Sequence, residues 1–309
     1  MRNAFINTLI VAAESNSNIW LLSGDLGFSV LEPFAARFAG RFVNVGVAEQ
    51  NMAGMAAGIA LSGKTVFIYS IGNFPTFRCL EQLRNDVCHH AADVKVVAVG
   101  GGYAYGSQGY THHAIEDVAI MSALPAMQVF APCDPAETRA ATHLIAASGK
   151  PSYLRLSRAG EPELAAGKPN DPYRPRVLRK GSDVLILASG PIASVAMVAA
   201  EQLGAEGLDV GVASVACIKP LDEGFVRDVA PRARLIATLE EHVLRGGLYA
   251  AVAAALAFGP RRTPVLGLGI SEQLSDMSVA GSRDALLATA GLSPPAVAAR
   301  IKQAMAGAI

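Results

Sequence analysis

The chain has 309 residues, of which 51% are apolar and 17% charged, and its 26 basic and 26 acidic residues give a formal net charge of zero. This length accommodates two α/β domains, and the neutral charge argues against nucleic acid or a membrane surface as the main partner. The four cysteines are scattered, which predicts reduced, buried thiols in a cytoplasmic protein. No signal peptide is evident, and no apolar run is long enough to span a bilayer.

Residues 1–160 alternate between apolar runs and helix-like segments. Nearly continuous apolar runs are typical of parallel strands that are covered on both faces. Asp134 followed by Pro135 combines a capping side chain with a proline at the first helical position, which predicts a helix start. The strand-like runs are residues 20–22, 65–69, 95–100 and 127–131.

Residues 161–181 are rich in proline, glycine and charge, and we interpret them as an interdomain linker. Residues 182–309 resume the alternation, with a last helix predicted to begin at Ser293 and Pro294. Repeated strand–helix alternation predicts two doubly wound, mostly parallel sheets. The predicted fold class is therefore α/β, with one domain at residues 1–160 and a second at residues 182–309.

Residues 43–61 are the most informative segment, because they combine a short strand, a turn and a helix of small and apolar residues with Glu49 at its entrance. Burying a carboxylate is costly unless it has a partner or a chemical role. An acid in the first turn of a helix is also favoured by the helix dipole. The residues alone leave both interpretations open.

Residues 46–50, Gly-Val-Ala-Glu-Gln, resemble the glutamate motif of the pyrimidine-binding domain in transketolase-type thiamine diphosphate enzymes. Residues 71–77, 110–113 and 156–158 then resemble further motifs in the family's order and at compatible spacing. Each motif alone is a weak signal, but the four together are a strong one. The chain most resembles the smaller, C-terminal-half subunit of a split transketolase.

The resemblance implies a binding site for the aminopyrimidine of thiamine diphosphate. Glu49 would pair with N1′ of that ring as an acid–base group, and Phe74 would stack on its face. Without the resemblance, Phe74 and Phe77 would be interpreted as ordinary core packing. The cofactor-binding residues that the resemblance implies are Glu49, Phe74, Ile71, Phe77, Asp25 and Leu26.

The resemblance also implies a substrate site. His112 would contact substrate hydroxyls and take part in catalysis, although a histidine pair in a loop is otherwise usually solvated or structural. Arg158 would hold the phosphate of a sugar phosphate, a task that suits a planar, permanently charged group. The implied substrate-binding residues are Arg158, His112, His113, Ser29, Arg2 and Gln108.

Two positions depart from the family's pattern. Gln108 stands where transketolases have an aspartate that recognises a donor hydroxyl, and Gly100 falls near the position of a further histidine. The phosphate end of the predicted site is thus retained, whereas its sugar-hydroxyl end is altered. The identity of the ketose substrate therefore stays open.

The chain contains no Gly-Asp-Gly motif, which the family uses to hold the diphosphate and its metal ion. The resemblance therefore implies that Mg²⁺ or Ca²⁺, which prefer oxygen ligands, is held mainly by another polypeptide. We expect that polypeptide to be an N-terminal-half subunit with the diphosphate-binding domain, assembled with this chain as an α2β2 heterotetramer. No metal ligand is predicted in this chain.

Three alternatives to a transketolase subunit are also compatible with parts of this resemblance. They are the β subunit of a 2-oxo-acid dehydrogenase decarboxylase, a deoxyxylulose-phosphate-type synthase, and a regulatory or assembly subunit without activity. Residues 111–112 and 156–158 favour a transketolase over the first. Glu49, Phe74 and Arg158 together argue against the last, because a degenerate site need not keep all three.

Overall fold

A computed structural model describes residues 1–158, 160–164, 171–257, 263–273 and 279–307. The strands are β1 (Ile19–Ser23), β2 (Phe42–Asn44), β3 (Thr65–Ile71), β4 (Val94–Val99), β5 (Gln128–Phe130), β6 (Ser152–Leu156), β7 (Arg176–Arg179), β8 (Val184–Ser189), β9 (Val210–Ser214), β10 (Cys217–Lys219), β11 (Leu235–Val243) and β12 (Val265–Ile270).

The α-helices among the described residues are α1 (Arg2–Ser15), α2 (Glu32–Arg37), α3 (Glu49–Leu61), α4 (Leu80–Gln82), α5 (Asp117–Ala123), α6 (Pro135–Ala147), α7 (Ala193–Ala205), α8 (Glu223–Val229), α9 (Leu248–Leu256), α10 (Arg283–Thr289) and α11 (Pro294–Met305). Two π-helical turns, Phe74–Arg78 and Leu83–Cys88, flank α4. No helix in this part of the chain is both long and apolar enough to cross a membrane.

In the part of the chain that the structure describes, the first sheet has seven strands in the order β10-β5-β6-β4-β3-β1-β2. Its neighbours are parallel except at the edge, where β10 runs antiparallel to β5. Since β10 follows β9 in the chain, residues from the C-terminal half complete the sheet of the N-terminal half.

Among the described residues, the second sheet has five strands in the order β12-β11-β8-β9-β7, and only β7 is antiparallel to its neighbour. The predicted class of two mostly parallel α/β sheets is confirmed. Strand β7 lies inside the predicted linker of residues 161–181. The predicted division into domains at residues 1–160 and 182–309 stays a prediction.

Both faces of the first sheet are covered, which explains its continuous apolar strands. Side chains of β3 point alternately to the two faces. Val66 and Ile68 pack in the cluster that includes α3. Phe67 and Tyr69 pack in the cluster that includes α1. The four cysteines are buried and free, as predicted.

The predicted helix starts are also present. The side chain of Asp134 accepts a hydrogen bond from the backbone N–H of Glu137 at 2.8 Å, and Pro135 begins α6. Pro294 begins α11 directly after Ser293.

Because β1, β2, β3 and β4 are parallel, their carboxyl ends lie at one edge of the first sheet, which is where α/β folds bind ligands.

Candidate active site

Glu49 begins α3 at this edge of the first sheet. Gly46 has a φ of 73°, a left-handed conformation that suits glycine, and it turns the chain from β2 into the helix. The Glu49 side chain is only 3% exposed. Its Oε2 accepts a hydrogen bond from Arg78 Nη1 at 3.0 Å. Its Oε1 is buried and has no hydrogen-bond partner among the described residues, so this oxygen is free to bond a ligand.

Asn44 fixes the turn that precedes Glu49. Its amide nitrogen donates to Asp25 Oδ1 at 2.9 Å, and its Oδ1 accepts from the backbone N–H groups of Asp25 and Gly46, each at 3.0 Å. Asp25 is exposed and has a positive φ of 58°. Asp25 and Leu26 contribute to the wall of a small cavity of about 140 Å³ at the end of β1.

Phe74 lies in the π-helical turn that follows β3. The guanidinium carbon of Arg78 lies 4.2 Å from the centre of the Phe74 ring, so Arg78 contacts both this ring and the Glu49 carboxylate. Ile71, the last residue of β3, is half-buried, and Phe77 is 44% exposed. Phe74, Phe77 and Arg78 line a cavity of about 400 Å³.

Asn73 holds the loop that carries the two predicted histidines. Its Nδ2 donates to the carbonyl oxygens of Thr111 and His113 at 3.0 and 2.9 Å. His112 is half-buried, and its ring lies edge-on to Phe74 with the ring centres 5.5 Å apart. Contacts through Arg78 and Phe74 therefore connect Glu49 with His112.

His113 has a different environment from His112. Its ring is buried and lies edge-on to Tyr103, with the ring centres 5.0 Å apart. Its Nε2 lies 3.2 Å from the carbonyl oxygen of Gly106. These contacts account for its position by packing, and its predicted contact with substrate stays a prediction.

Arg158 lies just beyond β6, and it lines a larger cavity of about 690 Å³ that is distinct from the one lined by Phe74. The Nε of Arg2 donates to the Arg158 carbonyl oxygen at 2.7 Å, so these two predicted substrate-binding residues are brought together. The Arg158 guanidinium carbon lies 5.9 Å from the ring centre of Tyr105. Arg283, from the C-terminal half, lines the same cavity.

Ser29 and Gln108 lie on exposed turns. Ser29 has a φ of 64°, and its backbone N–H donates to Glu32 Oε1 at 2.7 Å. The backbone N–H of Gln108 donates to the Tyr105 carbonyl oxygen at 2.9 Å. These contacts bring neither side chain to Glu49 or Phe74, and both predicted substrate roles stay predictions.

Arg78 is a site residue that was not predicted from the sequence. The signal was present, because residues four apart on a helical segment are neighbours and Arg78 follows Phe74 by four. A buried ion pair in the N-terminal half, whose arginine also bonds the C-terminal half, was not predicted either. Arg155 Nε donates to Asp117 at 2.8 Å, and its Nη2 donates to the carbonyl oxygen of Glu241 at 3.0 Å.

Glu240 and His242 are buried on β11. The two oxygens of Glu240 accept the backbone N–H groups of Leu248 and Tyr249 at 2.7 and 2.8 Å, at the start of α9. Burial raises the pKa of Glu240 to about 7, and burial lowers the pKa of His242 to about 4. These groups lie on the second sheet, and His242 Nε2 accepts the backbone N–H of Ala119 from the N-terminal half at 3.3 Å.

Comparison with known proteins agrees with this architecture. Residues 1–161 match the transketolase pyrimidine-binding domain, and residues 174–297 match the transketolase C-terminal domain. The chain is 34% identical to one subunit of the apulose-4-phosphate transketolase of Phocaeicola vulgatus, over 88% of each chain. It is 36% identical to a 6-deoxy-6-sulfo-D-fructose transketolase subunit of a Clostridium species, over 83% of this chain and 80% of the relative.

A solved structure described as a split gene transketolase, an inactive beta4 tetramer, has a TM-score of 0.88. It is 36% identical, and the match covers 99% of this chain and 97% of that one. These matches, with the two α/β sheets, define the thiamine diphosphate-dependent class of enzymes. The chain belongs to the transketolase family. Within that family it is the C-terminal section, one of the two subunits of a split transketolase.

Proposed function

We propose that this subunit supplies the pyrimidine-binding half of a transketolase active site and transfers a two-carbon ketol unit between phosphorylated sugars. The observation that carries the proposal is Glu49. It is a buried carboxylate at the ligand-binding edge of a parallel sheet, and one of its oxygens has no partner among the described residues.

The residues around Glu49 fit the pyrimidine end of thiamine diphosphate. When bound, the cofactor supplies a nucleophilic carbon that allows the carbon–carbon bond next to a carbonyl group of the sugar to be cleaved and formed. Oε1 of Glu49 would bond the ring nitrogen and exchange a proton with it. Phe74 would offer the ring an apolar face, with Ile71 and Phe77 as further walls.

His112 would serve the substrate rather than the cofactor. Its ring lies edge-on to Phe74, and its Nδ1 lies 3.0 Å from Thr111 Oγ1. That contact engages one ring nitrogen and leaves Nε2 to hydrogen-bond a hydroxyl or carbonyl oxygen of the sugar.

Arg158 would bind the anionic end of the substrate. The cavity that it lines, about 690 Å³, is within the size range of small-molecule sites. The relatives support an anionic substrate, because one is named for a sugar phosphate and the other for a sulfo sugar. A planar guanidinium binds phosphate and sulfonate oxygens through paired N–H groups.

The diphosphate and its Mg²⁺ or Ca²⁺ would be held mainly by an N-terminal-half subunit. This chain lacks the Gly-Asp-Gly motif, although Asp25 and Leu26 lie near the end of β1 at the ligand-binding edge. We propose an α2β2 assembly in which each N-terminal-half subunit completes the site of one copy of this chain. The similarity to a tetramer of β chains described as inactive supports this requirement for a partner.

Reconstitution with the N-terminal-half subunit tests the proposal. The complex should show thiamine diphosphate-dependent transfer from phosphorylated ketoses to aldehyde acceptors. Pyruvate as the preferred donor would instead favour a synthase, and acyl transfer to a lipoyl carrier would favour a 2-oxo-acid dehydrogenase component. A stable complex without turnover on any donor would favour an assembly role.

A further inference from the structure

Arg78 is the residue through which the two proposed cofactor contacts are joined. Its Nη1 donates to Glu49 Oε2 at 3.0 Å, and its guanidinium carbon lies 4.2 Å from the centre of the Phe74 ring. The ion pair engages only one oxygen of Glu49 and leaves Oε1 without a partner among the described residues.

The two contacts restrict different motions. A carboxylate held at one oxygen by a planar donor cannot rotate freely about its last bond, so the direction of its other oxygen is restricted. A cation on the face of Phe74 restricts the rotation of that ring and covers one of its sides. Arg78 therefore restricts the direction of Glu49 Oε1 relative to the plane of the Phe74 ring.

The backbone around Arg78 makes this arrangement possible. Phe74–Arg78 is a π-helical turn, a rare conformation that occurs often at functional sites. Asn73, directly before it, is anchored to the histidine loop through the carbonyl oxygens of Thr111 and His113. The turn is thus fixed at its start, and Arg78 reaches back from its end towards Glu49.

We propose that Arg78 is a positioning residue that orients the Glu49 carboxylate and the Phe74 ring for the aminopyrimidine. The proposal rests on the proposed function, because it assigns Glu49 and Phe74 to the same ligand. Arg78 would act through Glu49 and Phe74 and would not itself contact the reacting atoms.

Thiamine diphosphate binding to the reconstituted complex, measured by calorimetry with Mg²⁺, tests the role. Arg78→Met keeps an unbranched side chain near Phe74 but removes the ion pair, and we expect affinity to fall roughly 3- to 10-fold. Arg78→Lys keeps the charge without the planar fork, so its affinity should lie between those of wild type and Arg78→Met. Arg84→Met is the matched control, because Arg84 is an exposed arginine of the next π-helical turn.

A double-mutant cycle separates positioning from a general effect on folding. If Arg78 acts through Glu49, Arg78→Met should reduce affinity by at most about 2-fold in a Glu49→Ala background. Equal losses in the two backgrounds would overturn the proposal, as would an unchanged or increased affinity in Arg78→Met. If Arg78→Met does not fold, the comparison of Arg78→Lys with wild type in the two backgrounds gives the same decision.

The proposed function can fail separately. If Glu49→Gln turns over like wild type, Glu49 is not the acid–base group, whatever the result for Arg78.

Discussion

Buried glutamates lie in both halves of the molecule, and their partners differ. In the second sheet, both oxygens of Glu240 accept backbone N–H groups, from Leu248 and Tyr249. In the first domain, the Glu49 carboxylate accepts one hydrogen bond from the described residues, and its donor is the half-exposed side chain of Arg78. Two backbone donors at a helix start hold both oxygens of Glu240, whereas the Arg78 side chain holds one oxygen of Glu49.

Glu241, the neighbour of Glu240, is similarly satisfied. Its Oε1 accepts the backbone N–H of Tyr103 at 2.7 Å, and its Oε2 pairs with Arg283 at 2.6 Å. The bond to Tyr103 joins the two halves of the chain. Saturated buried acids therefore indicate structure, and an unsaturated acid at a ligand-binding edge indicates chemistry.

An unpartnered oxygen alone is not sufficient for that distinction. Oε1 of Glu137 also lacks a hydrogen bond among the described residues, but Arg176 lies 4.0 Å from it. The other oxygen of Glu137 accepts from Cys133 and Ser214 inside the protein. Glu49 differs because its partner, Arg78, also contacts the Phe74 ring, and because it lies at the ligand-binding edge of a parallel sheet.

The largest effect should follow from Glu49→Gln. The amide is nearly isosteric, so the fold should persist, but the exchangeable proton is lost. Turnover of the reconstituted complex at saturating cofactor should fall by about 10²- to 10⁴-fold, with little change in melting temperature. Near-normal turnover would remove the distinction between Glu49 and the structural glutamates.

Arg158→Ala should act mainly on phosphorylated substrates. Loss of a charge-assisted contact of about 1.5–3 kcal/mol should raise KM and lower kcat/KM by roughly 10- to 100-fold. Arg158→Lys should lose less, because it keeps the charge but not the planar fork. A non-phosphorylated analogue is the control, and equal impairment of both substrates would show that Arg158 is structural.

Phe74→Ala should weaken cofactor binding without preventing folding. Loss of an aromatic contact of about 0.5–1.5 kcal/mol corresponds to roughly 2- to 10-fold in affinity. Calorimetric titration of thiamine diphosphate into the complex measures this change. Unchanged affinity, with an unchanged melting temperature, would place the pyrimidine away from Phe74.

The smallest effect concerns Glu240, and it should appear in stability rather than in activity. Its pKa in the folded protein, about 7, is above the ordinary value of 4.5, so the folded state binds more protons between these limits. The contribution of this group to stability should therefore be greatest below pH 4.5 and decrease as pH rises towards 7. Thermal melts from about pH 5 to 8 should show a steeper decline in wild type than in Glu240→Gln; equal slopes would contradict this assignment.

Local patterns were sufficient for most of the fold. The valine-rich run of β4 and the Asp134–Pro135 helix start depend on neighbours in sequence, and both were predicted. The pairing of β10 with β5 joins segments that are far apart in the chain, and no local pattern reports it. Strand β7 was hidden in a proline-rich stretch because its partner, β9, lies further along the chain.

Sequence motifs also indicated three of the candidate site residues, whose roles stay predictions. Glu49, Phe74 and His112 lie in recognisable motifs, and contacts through Arg78 connect them. The four-residue spacing of Arg78 from Phe74 is a local signal, but the contact of Arg78 with Glu49 joins residues 29 apart in the chain, which no local pattern reports. The separation of Arg158 into its own cavity depends on how the two halves pack, because Arg283 from the C-terminal half lines that cavity.

The most direct test of the central claim is calorimetry of thiamine diphosphate with Mg²⁺, together with turnover, on this chain alone and on its complex with the N-terminal-half subunit. We predict weak binding and no turnover for the chain alone, and tight binding with turnover for the complex. Tight, Mg²⁺-dependent binding with turnover by the chain alone would contradict the claim that it carries only the pyrimidine half of the site.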